Sequence, residues 1–118
     1  MRSRVRQFLL EFKKAVEDHG AYLIPRHDCI ETLRHLRLTQ RNLEEELLSL
    51  SVEDYSVGPE KDRGMPGELW VFGRVISGQE VYVKVKLMTD DAGTRRAKCI
   101  SFHIAALPLK YPLKHGSK

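Results

Sequence analysis

The hydrophobic spacing of this chain changes once, near Ser51, from helical to extended, and that change restricts the folds open to it. Before it, Val5, Phe8, Leu9, Phe12 and Val16 follow the stripe of an amphipathic helix across residues 3–19, which Gly20 stops. After it, Val81, Val83, Val85 and Leu87 alternate with Glu80, Tyr82, Lys84 and Lys86, the period of a strand with one buried face. Helices first and strands last predict an α+β fold, with N-terminal helices packed on a C-terminal antiparallel meander of at least three strands.

The remaining pieces fit between these two patterns. Ala21–Ile24 reads as a short extended piece ended by Pro25. Asp28 is placed to cap a second helix with Ile30, Leu33 and Leu36 inward. Thr39 caps a third, reaching about Leu50, with Leu43, Leu47 and Leu50 on its stripe and Glu44, Glu45 and Glu46 on a solvated face. Residues 53–68 hold three Gly and two Pro and read as one long loop carrying Tyr55, Lys61 and Arg63. Ser77-Gly78 is a turn signal. A two-residue turn sets Ile76 opposite Gln79 and Gly73 opposite Tyr82, sending Trp70 and Phe72 to the core. A three-residue turn would instead turn Trp70, Phe72 and Arg74 toward the polar face as base-stacking platforms. In the last strand Ile100, Phe102 and Ile104 oppose Cys99, Ser101 and His103. The 118 residues thus divide, within one domain, into a helical layer (3–50), a loop (53–68), a meander (69–105) and an extended tail (106–118) that frays from His115.

Several classes are excluded at this level. Apolar runs span only a few residues, whereas a membrane helix needs about 20, and Glu11, Lys13 and Lys14 interrupt any secretory leader. Cys29 and Cys99, far apart and without close-spaced partners, read as free thiols of a cytoplasmic protein. Residues 1–64 carry 11 basic against 12 acidic side chains, residues 65–118 carry 9 against 4. The basic half suggests a polyanionic partner, nucleic acid first among them.

The polar face of the meander gathers Tyr82, Lys84, Lys86, Ser101 and His103. Cations that neutralise charge on a pentavalent phosphorus, beside an imidazole that moves a proton, suit a phosphodiester substrate. The same alternation also describes a solvated sheet face that binds RNA or protein without chemistry. Phe8, Leu9 and Phe12 offer a third reading, a helical face for oligomerisation. His27, Asp28, Cys29 and His35 lack zinc spacing, and neither a Walker loop nor G-x-G-x-x-G nor G-x-S-x-G occurs, so no metal or cofactor is expected. Cys99 and His103 lie about 13 Å apart along one strand, too far for a Cys–His nucleophile.

Asp54-Tyr55-x-x-Gly58-Pro59, Trp70-x-Phe72-Gly73, Tyr82-x-Lys84 and Ser101-Phe102-His103, in this order over residues 5–112, resemble the MqsR family of bacterial toxin–antitoxin toxins. That resemblance implies a RelE-type fold and a metal-independent mRNA endonuclease. Its reaction uses the substrate 2′-OH and leaves 2′,3′-cyclic phosphate ends. It implies that Tyr82 matches the family's site tyrosine and that His103 stands where a site lysine follows Ser-Phe. Val57 and Val71 replace a lysine and a glutamine of the family's site, so Lys61 or Arg63 would substitute. On these grounds His103 is the expected base or acid, Lys84 the charge stabiliser and Tyr82 an orienting group or proton donor. Lys61, Arg63, Lys86, Arg74, Tyr55 and Ser101 would hold the RNA. The partners implied are mRNA and an antitoxin resembling a zinc-binding module joined to a helix-turn-helix domain.

Overall fold

The structure, a computed structural model, describes residues 1–114; the fraying expected from His115 falls outside the described residues. Helix α1 (Arg2–His19) buries Val5, Phe8, Leu9, Phe12, Ala15 and Val16, the predicted stripe with Ala15 added. Gly20 ends it at φ 76°, a left-handed conformation glycine adopts without penalty. β1 (Ala21–Leu23) follows, then α2 (His27–His35), α3 (Gln40–Leu48) and a 3₁₀ turn at Val52–Asp54. Thr39 caps α3 as expected, in a reciprocal capping box with Asn42. Asp28 does not cap α2. The cap position is Arg26 and the helix starts two residues earlier than an Asp28 cap would set it; its buried face is Cys29, Thr32 and Leu36, and Ile30 is exposed. Glu44 and Glu46 are not simply solvated: Glu44 accepts from the Ala21 amide, and Glu46 pairs with Arg74.

Strands β2 (Tyr55–Lys61), β3 (Glu68–Ile76), β4 (Gln79–Thr89) and β5 (Arg95–Ile104) complete one sheet in the order β1-β5-β4-β3-β2. The fold is α+β, with the helices packed on one face of a mixed five-stranded sheet in which β1 runs parallel to β5 and all other pairs are antiparallel. The expected loop over residues 53–68 is corrected: residues 55–61 form edge strand β2, and only 62–67 remain a loop. Two register shifts against β3 hide this strand from a period-2 reading, and Pro59 offers no amide to the ladder.

The β3–β4 hairpin takes the two-residue register, Ile76 opposite Gln79 and Gly73 opposite Tyr82. Ser77 and Gly78 both have positive φ (52° and 78°), the turn whose twist suits a tight hairpin. Trp70 and Phe72 therefore enter the core, where both rings stack on Phe8. Between β4 and β5 the register slips once. Lys84 faces Ser101, Val85 faces Cys99, and Ile100 is the extra residue. This bulge reverses the expected facing of Cys99, which is buried in the core with Ala97, while Phe102 keeps its inward side. Burial raises both thiols above the ordinary cysteine range, so neither is a nucleophile at neutral pH. Phe8, Leu9 and Phe12 are covered by the sheet, which removes them as an oligomerisation face.

Candidate nucleic-acid interface

The side of the sheet away from the helices carries the chemistry. Tyr82 on β4 and His103 on β5 are directly paired, and their rings stack with centroids 4.9 Å apart and planes 13° from parallel. Lys84, two residues along the same face of β4, holds its ammonium 5.8 Å from the Tyr82 ring centroid. No carboxylate pairs with Lys84 among the described residues. His103 Nδ1 lies 3.0 Å from the Ile104 carbonyl oxygen. A carbonyl only accepts, so this contact places the proton on Nδ1 and leaves the Nε2 lone pair free to take another. Ser101 sits opposite Lys84 but is nearly covered and forms the floor between the strands.

Two segments bound this strip. At one end the 62–67 loop folds back over β4, where Lys86 donates to Asp62 Oδ2 at 2.5 Å and to the Pro66 carbonyl at 2.8 Å. Lys86 is only 2% exposed, so the expected role in gripping phosphate is corrected: its charge is spent inside the chain. At the other end the tail crosses Gly73, where a Cβ would run into Leu109 and the Tyr111 ring. The Tyr111 hydroxyl and the Leu109 amide both donate to Glu80, which raises the Tyr111 phenol above its ordinary range through burial and the adjacent carboxylate. The tail thus fills the space above Gly73. Glu80 itself lies on this face of β4, its carboxylate engaged by these two donors.

The remaining expected residues are dispersed. Tyr55 is buried against Trp70 and Phe72, with its hydroxyl on the Gly58 carbonyl. Arg74 projects to the helix side and pairs with Glu46 at 2.8 Å and Asp54 at 3.3 Å, which holds its pKa above the usual guanidinium value. Lys61 and Arg63 are exposed at the end of β2 and in the 62–67 loop, beside the Lys86 end of the strip. Of the nine expected residues, the structure therefore gathers Tyr82, Lys84, His103 and Ser101.

Sequence reasoning missed Lys98 and Tyr22. The bulge at Ile100 turns Lys98 onto this face, where its ammonium lies 5.8 Å from the centroid of the Tyr22 ring on β1. A signal was present: Arg96-Ala97-Lys98-Cys99 and Ser101-Phe102-His103-Ile104 alternate out of phase, with Ile100 at the junction.

The Lys86–Asp62 contact predicts a lopsided response to mutation. Asp62→Ala leaves an ammonium buried without a partner and is expected to cost about 3–5 kcal/mol in urea unfolding. Lys86→Met, which removes the buried charge and fills its volume, is expected to cost far less. Equal losses would show that the pair acts by packing alone.

Among the described residues no group of three or more His, Cys, Asp or Glu is placed to hold a metal ion, and no helix is long and apolar enough to cross a membrane. No family model, curated protein or solved structure matches the chain.

Proposed function

We propose that this protein is an mRNA endonuclease of the MqsR-like toxin class, acting through the substrate 2′-OH and without a metal ion. The carrying observation is the Tyr82–His103 stack with the unpaired Lys84 ammonium beside it, on a sheet face free of helices. Nε2 of His103 takes the proton from a ribose 2′-OH, and the oxygen attacks the adjacent phosphorus. Negative charge builds on the non-bridging oxygens, where Lys84 stabilises it. The 5′-oxygen leaves with a proton, supplied by Tyr82 or returned from the imidazolium, giving a 2′,3′-cyclic phosphate and a 5′-hydroxyl. The imidazole that takes the 2′-OH proton lies flat against the Tyr82 ring. Lys61 and Arg63 are proposed to hold the strand where it leaves the face.

In this reading the protein works in the cytoplasm and is restrained by an antitoxin of the zinc-binding, helix-turn-helix kind. Glu80 and Asp62, beside the strip, are both engaged by donors of the chain itself and are not free to hold a cation. Labelled RNA incubated with the protein is expected to be cut equally with and without EDTA, yielding cyclic phosphate ends. Cleavage that stops with EDTA and resumes with Mg²⁺ would overturn the mechanism. RNA retarded but left whole would favour a binding module without chemistry.

A further inference from the structure

We propose that Tyr22 and Lys98 form a second base-stacking subsite on the same sheet face, so that one RNA strand runs from His103 to the β1 edge. This inference rests on the RNA reading above and adds to it the course of the strand. Tyr22 and Lys98 are register partners across the parallel β1–β5 pair, and the ammonium lies 5.8 Å from the ring centroid. The arrangement repeats Tyr82 and Lys84, where the corresponding distance is also 5.8 Å.

Tyr22 is 60% exposed, and its ring packs against no other aromatic among the described residues. It is not needed to cover the sheet edge either, because Gln40 donates to the Ala21 carbonyl and Glu44 accepts from the Ala21 amide. The fold thus leaves a large aromatic surface unused. A cavity of about 470 Å³ lies beside it, lined by His19, Tyr22, Met88, Arg96 and Lys98 among others. Arg96 is engaged by Asp90, whereas Lys98 has no carboxylate partner among the described residues and is free to meet a phosphate. An exposed ring flanked by a free cation on a sheet is the arrangement that stacks an unpaired base while neutralising its backbone.

The subsites are spaced for one strand. From Tyr82 to Lys86 is four residues along β4, and from Lys86 through Lys98 to Tyr22 is two strand spacings, about 16 Å in a straight line. A single strand of a few nucleotides spans that distance over Lys98, passing the 62–67 loop, whose Met65, Pro66 and Gly67 border the same pocket as Lys98.

The test uses 2′-O-methyl oligouridylate, which lacks the attacking hydroxyl and stays whole. With a probe of about 12 nucleotides, Tyr22→Ala is expected to weaken binding ~5–150-fold, while Tyr22→Phe binds as the unchanged protein does, because stacking uses the ring face. With a probe of about two nucleotides, too short to reach both subsites, Tyr22→Ala is expected to have no effect on the fraction bound at the His103 end. Circular dichroism melting checks that the exposed substitution leaves the fold intact. If Tyr22→Ala binds the longer probe undiminished while the unchanged protein still cleaves ordinary RNA, the subsite is wrong and the nuclease reading stands. If the unchanged protein binds no RNA of either length, both are overturned.

Discussion

His103→Ala is expected to lower single-turnover RNA cleavage by roughly 10²–10⁴, the range that a positioned proton carrier contributes. RNA affinity should change little by comparison, because the imidazole acts on a proton that moves only during reaction. The His103 ring makes one hydrogen bond, through Nδ1 to the backbone of its own strand, and its removal leaves the bulged β4–β5 pairing in place. If the proposed toxin role holds, the same substitution should relieve growth arrest on expression of the protein alone. A variant that cleaves RNA and arrests growth at the unchanged rate would move the base elsewhere, to Tyr82 or Lys84.

Lys84→Ala is expected to cost about 10²–10³ in the cleavage step, with a smaller loss in ground-state binding. Its ammonium is poised over an aromatic face rather than tied to a carboxylate, so it meets the charge that grows on the phosphorane without first breaking an ion pair. Lys84→Arg keeps the charge and should recover much of the rate. Lys86→Ala serves as the contrast. Because Lys86 is buried against Asp62, its loss should lower stability and leave the salt dependence of RNA binding unchanged. A Lys86→Ala variant with weakened binding, a flatter salt dependence and normal stability would restore the phosphate-gripping role first expected for it.

The parts of the molecule legible in the sequence are those governed by neighbours along the chain. The α1 stripe, the Thr39 cap and the hairpin register at Ser77-Gly78 each depend on residues a few positions apart. That Tyr82 and His103 share one face follows from the same logic, because Val81–Lys84 pair with Ser101–Ile104 without a slip; their direct stacking does not. What escaped notice depends on partners far away or on a break in period. Lys86 reads as one more outward cation until Asp62 and Pro66 arrive from the preceding loop. Gly73 reads as open space until Leu109 and Tyr111 occupy it. A bulge adds one residue without changing composition, so Cys99 looks polar-facing and Lys98 core-facing when the reverse holds. Residues 55–61 failed for the same reason, since two register shifts leave no alternation to count.

The parallel pairing of β1 with β5 joins Ala21 to Ala97, and β1, β4, α1 and α2, which pack against β5, all precede it in the chain. During synthesis the helices, β1 and the β3–β4 hairpin therefore leave the ribosome ahead of β5, which carries His103. Long-range pairings of this kind close late, because the intervening chain must lose its freedom before the contact is made. On the proposed reading, the proton carrier is the last piece of the site to arrive. The Tyr82–His103 stack forms only when β5 slots between β1 and β4.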